Sequence, residues 1–375
     1  MMMTTDKLGL YVHIPYCVRK CNYCDFCSLP NGKCEVPELY VDALCKEISS
    51  YKEQGKRKLD TVYFGGGTPS LLSVSKMQRI VETIRDSFEI SESAEITFEA
   101  NPGTLTPEKA RGYKALGFNR VSMGLQSIHE KEMKKLGRIH NYQDFITSFN
   151  LLREAGFDNI NVDLMYGIPY QTKDTFEKTL KAVTALSPEH ISAYGLILEE
   201  GTPLFSEKDL LPFPTTDEEC DMYELACLTL REAGYEHYEI SNYARAGKRS
   251  RHNMLYWNLA DYIGVGAAAH SYLEGTRYYN TADVEEYIRD ILEGSPCREE
   301  SDVDLAFEYV MLKLRLADGF LLSDYEEKFG APFLKGKEVV IDKFIKAGLL
   351  TLEDGRLRLT ERGFYLSNSI LVEIL

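Results

Sequence analysis

The chain has 375 residues, 44% hydrophobic and 27% charged, which is ordinary for a soluble globular protein and long enough for one large domain plus a small one. A formal net charge of −15 argues against a general nucleic-acid binder, which needs excess Lys and Arg to neutralise phosphates, and disfavours charge-driven binding to an anionic membrane. Nine cysteines without regular pairing, no run near the ~20 apolar residues of a membrane span, and a Met1–Lys7 terminus without signal-peptide layout point to a cytoplasmic protein with reduced thiols.

In chain order, Leu8 to Ile14 reads as a strand that feeds a loop carrying Cys17, Cys21 and Cys24 in a Cys-x3-Cys-x2-Cys spacing. A loop can curl three sulfurs toward one centre, where a strand would send them to opposite faces. Thiolates select zinc or an iron–sulfur cluster. A closed zinc site wants four ligands, and no second knuckle follows. Three thiolates on a cubane leave one iron open. Cys27 stands three residues on, as a fourth ligand, a cluster-exchange thiol or a plain small residue; the last is favoured, because a fourth thiolate would fill the open iron. Cys34, Cys45, Cys220, Cys227 and Cys297 read as ordinary buried or half-buried residues.

A helical pattern over Val36 to Gln54 leads to a strand, Leu59 to Phe64, that ends in Gly65-Gly66-Gly67-Thr68-Pro69-Ser70. Further strands are expected at Glu95–Glu99, Arg120–Gly124, Asn159–Tyr166 and His190–Leu198, with helices at Val74–Ser87, Pro107–Ala115, Tyr142–Ala155 and Lys173–Ala185. Six strands alternating with helices imply repeated βα units and a parallel sheet, too few for a closed eight-fold barrel, so the expected fold is an α/β open, partial barrel. Function in βα barrels collects where strands end. On that rim fall the cysteines, the glycines, Glu99, Gln126 and Asp163. Glycines let backbone approach a ligand; Glu99 and Asp163 suit an ammonium or ribose hydroxyls; Gln126 donates and accepts; and the Arg138 fork suits a carboxylate.

The cysteine spacing resembles the radical S-adenosylmethionine (SAM) superfamily, in which the open iron of a [4Fe–4S] cluster binds SAM. Tyr11-Val12-His13-Ile14-Pro15-Tyr16-Cys17, Tyr63 to Ser70, Glu99-Ala100-Asn101-Pro102, Arg120 to Ser127 and Asp163 to Thr172 are similar to the oxygen-independent coproporphyrinogen III oxidase family over nearly the whole chain. The resemblance implies cluster ligands Cys17, Cys21 and Cys24, and SAM-pocket residues Tyr11, Tyr23, Gly66, Gly67, Thr68, Glu99, Gln126, Arg138 and Asp163. It also implies capacity to cleave SAM to a 5′-deoxyadenosyl radical.

Two departures point away from the oxidase itself: Phe26 stands where the oxidase carries a fourth cysteine, and the stretch before Cys17 is short. Tyr238 to Ala244, His252-Asn253-Met254-Leu255-Tyr256-Trp257 and Gly264 to Ser271 resemble the family's heme-chaperone branch. That branch implies heme held around His252, with Tyr256 and Trp257 stacking on the macrocycle, and heme transfer to an acceptor hemoprotein, a respiratory enzyme among the candidates, with peripheral contact with membrane complexes. Cys27 departs from the Asn common there. The alternative function is radical decarboxylation of porphyrinogen propionates.

From Val303 the strand–helix rhythm stops. Helical patterns at Val303–Leu316, Leu322–Phe329 and Lys337–Ala347 precede two short strands around Asp354-Gly355, a hairpin signal. Three helices and a hairpin resemble a winged helix, but 13 Asp+Glu against 10 Lys+Arg over residues 301–375 argue against DNA. The expected organisation is a partial barrel over 1–236, an extension over 237–300 with the His-Asn-x-x-Tyr-Trp segment, and a winged-helix-like domain over 301–375.

Overall fold

Alternation along each strand decides the architecture. In the computed structural model, which describes residues 7–30, 32, 35–54, 56–294, 298–300 and 304–375, the barrel strands are β1 (Leu8–Ile14), β2 (Lys58–Gly66), β3 (Glu89–Ala100), β4 (Arg120–Gln126), β5 (Ile160–Tyr166) and β6 (His190–Gly195). They pair in parallel in that order, joined by helices that include Val74–Ser87, Pro107–Ala115, Tyr142–Glu154 and Lys173–Ala185. Leu10, Val12, Val62, Phe64, Phe98, Val121 and Val162 point outward into the core beneath the helices. There Phe98 meets Tyr113, Phe118 and Phe157 edge-on at 4.9 to 5.9 Å, so Phe98→Ala costs about 3–5 kcal/mol. Intervening residues point inward and are polar or aromatic: Tyr11, Thr61, Tyr63, Glu95, Glu99, Arg120, Ser122, Asn161, Asp163, His190 and Ser192. Their mutual hydrogen bonds line the lumen.

The segment after β6 continues the barrel's own sheet. Glu236–Glu239 and Asn242–Ala244 extend it beyond β6, while Asp261–Val265 lies parallel to β1 and is followed by antiparallel strands, giving twelve strands in one sheet among the described residues. The parallel set therefore has a member that periodicity did not suggest: Asp261 to Val265 is short and is preceded by Trp257-Asn258-Leu259-Ala260 without a long helix. Helix Arg251–Trp257 sits against β1, β2 and Asp261–Val265 and closes the end of the barrel opposite the rim. Its N-terminal N–H groups of Arg251 and His252 donate to the Glu95 carboxylate, which complements the helix dipole.

The C-terminal segment carries the expected helices as Leu305–Lys313, Leu322–Phe329 and Glu338–Lys346, and the hairpin as Leu350–Glu353 and Arg356–Leu359. Asp354 and Gly355 both have positive φ, as a tight two-residue hairpin turn requires. Phe320–Leu321 adds a third strand, and helices Glu361–Tyr365 and Ser367–Ile374 follow. No helix of the described residues is long and apolar enough to cross a membrane. Cys45 and Cys227 are buried and Cys220 half-buried, all free thiols; Cys34 and Cys297 lie outside the described residues.

Candidate functional site

The cysteine loop is held from below by His13. A carbonyl only accepts, so His13 Nε2 must carry the proton it shares with Cys27 O at 2.9 Å, and Nδ1 then accepts from Tyr11 OH at 2.9 Å. Burial lowers the His13 pKa, which favours this neutral form. The two glycines are fixed by this ring and by the backbone beside it. A Cβ on Gly66 would lie 2.5 Å from His13, and one on Gly67 would lie 2.7 Å from Tyr16 O. They thus pack strand end against loop, a reason the sequence does not disclose. Leu29 N donates to Pro15 O at 2.6 Å and closes the loop, while Asn22 bonds the Lys135 and Leu136 carbonyls.

The result is a cavity of about 360 Å³ at the rim, into which Cys17, Cys21 and Cys24 all face together with Tyr23, Gly66, Gly67, Glu99, Gln126, Arg138 and Asp163. Two expected residues act from behind it. Thr68 donates to Cys17 Sγ at 3.4 Å and accepts from Asn101 Nδ2, and Tyr11 lies one layer deeper, bonded to His13. Cys27 is not among the lining residues; its thiol donates to Ala282 O at 3.2 Å. Sequence reasoning did not single out Asn101, which joins Thr68 to the Arg138 fork at 2.7 Å, nor Tyr63, whose hydroxyl donates to Glu99 at 2.8 Å. Tyr63 was findable from alternation along β2, because it faces the same way as Gly65.

Electrostatics prepare the cavity for a polar, partly cationic ligand. Burial pushes Glu99 up to about 7, against the opposing pull of Tyr63 OH and Gly66 N–H. Asp163 is also raised by burial, while Asn161 Nδ2 at 2.7 Å and the Ser122 hydroxyl at 3.2 Å favour its charge. Arg138 reaches Cys21 Sγ at 3.5 Å with one nitrogen, yet its Nε is buried without a partner. Gln126 holds a left-handed backbone, φ 72°, at a break in the β4 ladder, and its Oε1 is likewise buried and unpartnered. A strained residue presenting an orphan acceptor beside an orphan donor fits a ligand that supplies both.

The heme-implied residues lie elsewhere. His252, Tyr256 and Trp257 share helix Arg251–Trp257 at the far end of the barrel. His252 is 1% exposed; its Nδ1 contacts Thr61 Oγ1 at 2.7 Å and its Nε2 contacts Tyr256 OH at 2.7 Å. Its ring stacks on Tyr63 at 5.1 Å. Both nitrogens are thus engaged, so iron ligation by His252 requires one of these bonds to open, and Tyr256 is engaged by the same contact. Trp257 is half-buried, with Nε1 buried and unpartnered.

Residues 11–183 match the radical SAM superfamily and residues 301–366 the HemN C-terminal domain. The chain is 36% identical to the heme chaperone HemW of Bacillus subtilis (strain 168), over 96% of this chain and 97% of that protein. The chain belongs to the HemW family of radical SAM proteins. The HemW of Escherichia coli (strain K12) is 35% identical over 99% of this chain and 98% of its own length. In structure, this HemW-family chain matches the coproporphyrinogen III oxidase HemN of Escherichia coli, a radical SAM enzyme, with a TM-score of 0.86 at 23% identity, over 98% of this chain and 90% of that one. The two share the fold. Radical SAM membership implies a [4Fe–4S] cluster and SAM, and the residues fit: three thiols face one cavity beside the unpartnered Gln126 Oε1 and Arg138 Nε. Burial raises the Cys17 and Cys24 thiols, so loading a cluster must displace their protons.

Proposed function

We propose that this protein is a heme carrier that binds heme, passes it to an acceptor hemoprotein and holds a SAM-binding [4Fe–4S] cluster in the rim cavity. The observation that carries the reading is 35–36% identity, over 96–99% of this chain, with proteins named heme chaperone HemW. Phe26 at the position where the oxidase carries a further cysteine supports it. Cys17, Cys21 and Cys24 would hold the cluster, with Thr68 and Arg138 bonded to the sulfurs of Cys17 and Cys21. Gln126 and Arg138 would meet the amino-acid end of SAM, Gly66 and Gly67 would shape the pocket, and Glu99 and Asp163 would accept from ammonium or ribose groups, with Tyr23 packed beside them. When bound, the cluster supplies an electron to SAM. The chain's residues orient SAM and exclude water.

Heme sits outside this cavity, at the segment His252 to Trp257, after the His252–Tyr256 contact opens. The acceptor is a hemoprotein such as a respiratory enzyme, reached from the cytosol through peripheral contact with a membrane complex. The second reading, a coproporphyrinogen oxidase, is favoured by the shared HemN fold alone. The anaerobically reconstituted protein is to be titrated with heme, and in parallel incubated with coproporphyrinogen III, SAM and reductant. Saturable heme binding without protoporphyrinogen supports the carrier; protoporphyrinogen formation overturns the pure-carrier reading.

A further inference from the structure

Where the barrel meets the C-terminal segment, ligand atoms of Cys227, His237 and Glu361 all lie within 4.8 Å of one another. Cys227 comes from helix Thr216–Glu232, His237 from strand Glu236–Glu239, and Glu361 opens helix Glu361–Tyr365. We propose that these three residues form a divalent-metal site, best suited to Zn²⁺, that ties the C-terminal segment to the barrel.

Each ligand already has the outer partner that metal binding needs. His237 Nε2 faces the Ile240 carbonyl at 3.4 Å, which can only accept, so the ring proton sits there and the Nδ1 lone pair faces Cys227 Sγ at 4.0 Å. An imidazole whose other N–H donates to a backbone carbonyl is the common outer arrangement of protein metal sites. Burial lowers His237 to about 4, so the ring is neutral as a ligand must be. Tyr243 OH lies 3.2 Å from Cys227 Sγ and can donate to a thiolate, while its ring stacks on His237 at 4.2 Å and 15°. Glu361 is paired with Arg231 through Oε2, so the guanidinium fixes the carboxylate while its second oxygen can turn to the metal.

The dimensions suit zinc. Bond lengths of about 2.3 Å to sulfur and 2.05 Å to nitrogen at a tetrahedral angle span roughly 3.6 Å between the two atoms. The observed 4.0 Å is a few tenths wider. A thiolate, an imidazole and a carboxylate form a borderline-soft set that favours Zn²⁺ over Mg²⁺ or Ca²⁺. Burial pushes the Cys227 thiol up to about 11, so Zn²⁺ must displace its proton to water as the Zn–S bond forms. A cavity of about 280 Å³ beside His237, Glu361 and Phe364 leaves room for water in the fourth position.

The test uses the full chain with its iron–sulfur site reconstituted first, so that zinc cannot hide among the cluster cysteines. The protein is washed with chelator, titrated with zinc chloride, desalted, and analysed for iron and zinc; zinc X-ray absorption then reads the ligands. One zinc per chain with a single sulfur neighbour is expected, and Cys227→Ser, His237→Ala and Glu361→Gln each weaken zinc at least about tenfold with iron content unchanged. Glu361 lies at the surface, so its variant folds even where a buried substitution does not. An iron-loaded protein that retains no zinc overturns the proposal, as does zinc with several sulfurs or zinc that Glu361→Gln and Cys227→Ser leave unaltered.

Discussion

Replacing His252 with alanine separates its structural role from any role toward iron. The substitution removes the partner of Thr61 Oγ1 and of Tyr256 OH, each at 2.7 Å, and takes away a ring stacked against Tyr63. A buried polar group left without a partner costs about 1–3 kcal/mol, and the emptied volume adds to that, so the variant loses roughly 3–5 kcal/mol. That is a large share of the total stability of a domain. Because Tyr63 also donates to Glu99, SAM affinity falls with it. Urea unfolding of the cluster-free protein, followed by circular dichroism, measures the loss. His252→Gln keeps a donor and an acceptor and recovers part of it. Tyr256→Phe supplies the complementary arm: it frees His252 Nε2, so heme affinity rises about tenfold if that nitrogen takes the iron once its contact opens. An alanine variant that unfolds at the wild-type midpoint refutes the structural role assigned to His252.

Further outcomes follow from the same geometry. His252 is lowered to about 3 by burial, and an unfolded His titrates near 6.5, so between those values the unfolded chain binds the extra proton. Stability attributable to His252 therefore falls as pH drops below about 6.5, and His252→Gln flattens that slope in unfolding curves taken from pH 7 to 5. Glu99 runs the other way: raised to about 7, it holds a proton in the ligand-free fold that the unfolded chain has lost above about 4.5, so its contribution to stability falls as pH rises through that window. SAM, a cation, selects the carboxylate, so its affinity measured from pH 6 to 8 rises with pH in the wild type and is flat in Glu99→Gln. At Gln126, φ 72° makes the glycine variant about 1 kcal/mol more stable than the alanine variant in urea unfolding, while both lose the orphan acceptor and bind SAM more weakly. Cys27→Ala keeps the iron content of the wild type, because its thiol faces Ala282 O, whereas alanine at Cys17, Cys21 or Cys24 abolishes cluster retention in iron analysis.

The barrel was legible because short strands that alternate apolar with polar or aromatic residues recur between helical patterns, and the helices at Val74–Ser87, Pro107–Ala115 and Lys173–Ala185 match those patterns residue for residue. The strand Asp261–Val265 was not, because its parallel pairing with β1 is a long-range contact that local periodicity does not encode. In the site, the three thiols and the rim carboxylates were visible in the motifs. The roles of Gly66 and Gly67 were only half visible: a glycine loop announces close approach but not that the approaching group is His13 or Tyr16. The resemblance implies Tyr11 and Thr68 for the pocket, and they act one layer behind it, since a motif gives a residue's neighbourhood and not its depth. His252 shows the same limit more sharply, because the sequence presents a histidine amid aromatics while the fold engages both of its nitrogens.

The most direct test of the carrier reading is heme transfer. The reconstituted, heme-loaded protein is mixed with an apo-hemoprotein and the heme absorbance of the acceptor is followed after the two are separated. On the carrier reading, heme leaves this protein for the acceptor faster than free heme at the same concentration loads it. Heme that stays bound, or an acceptor that fills no faster than from free heme, contradicts it.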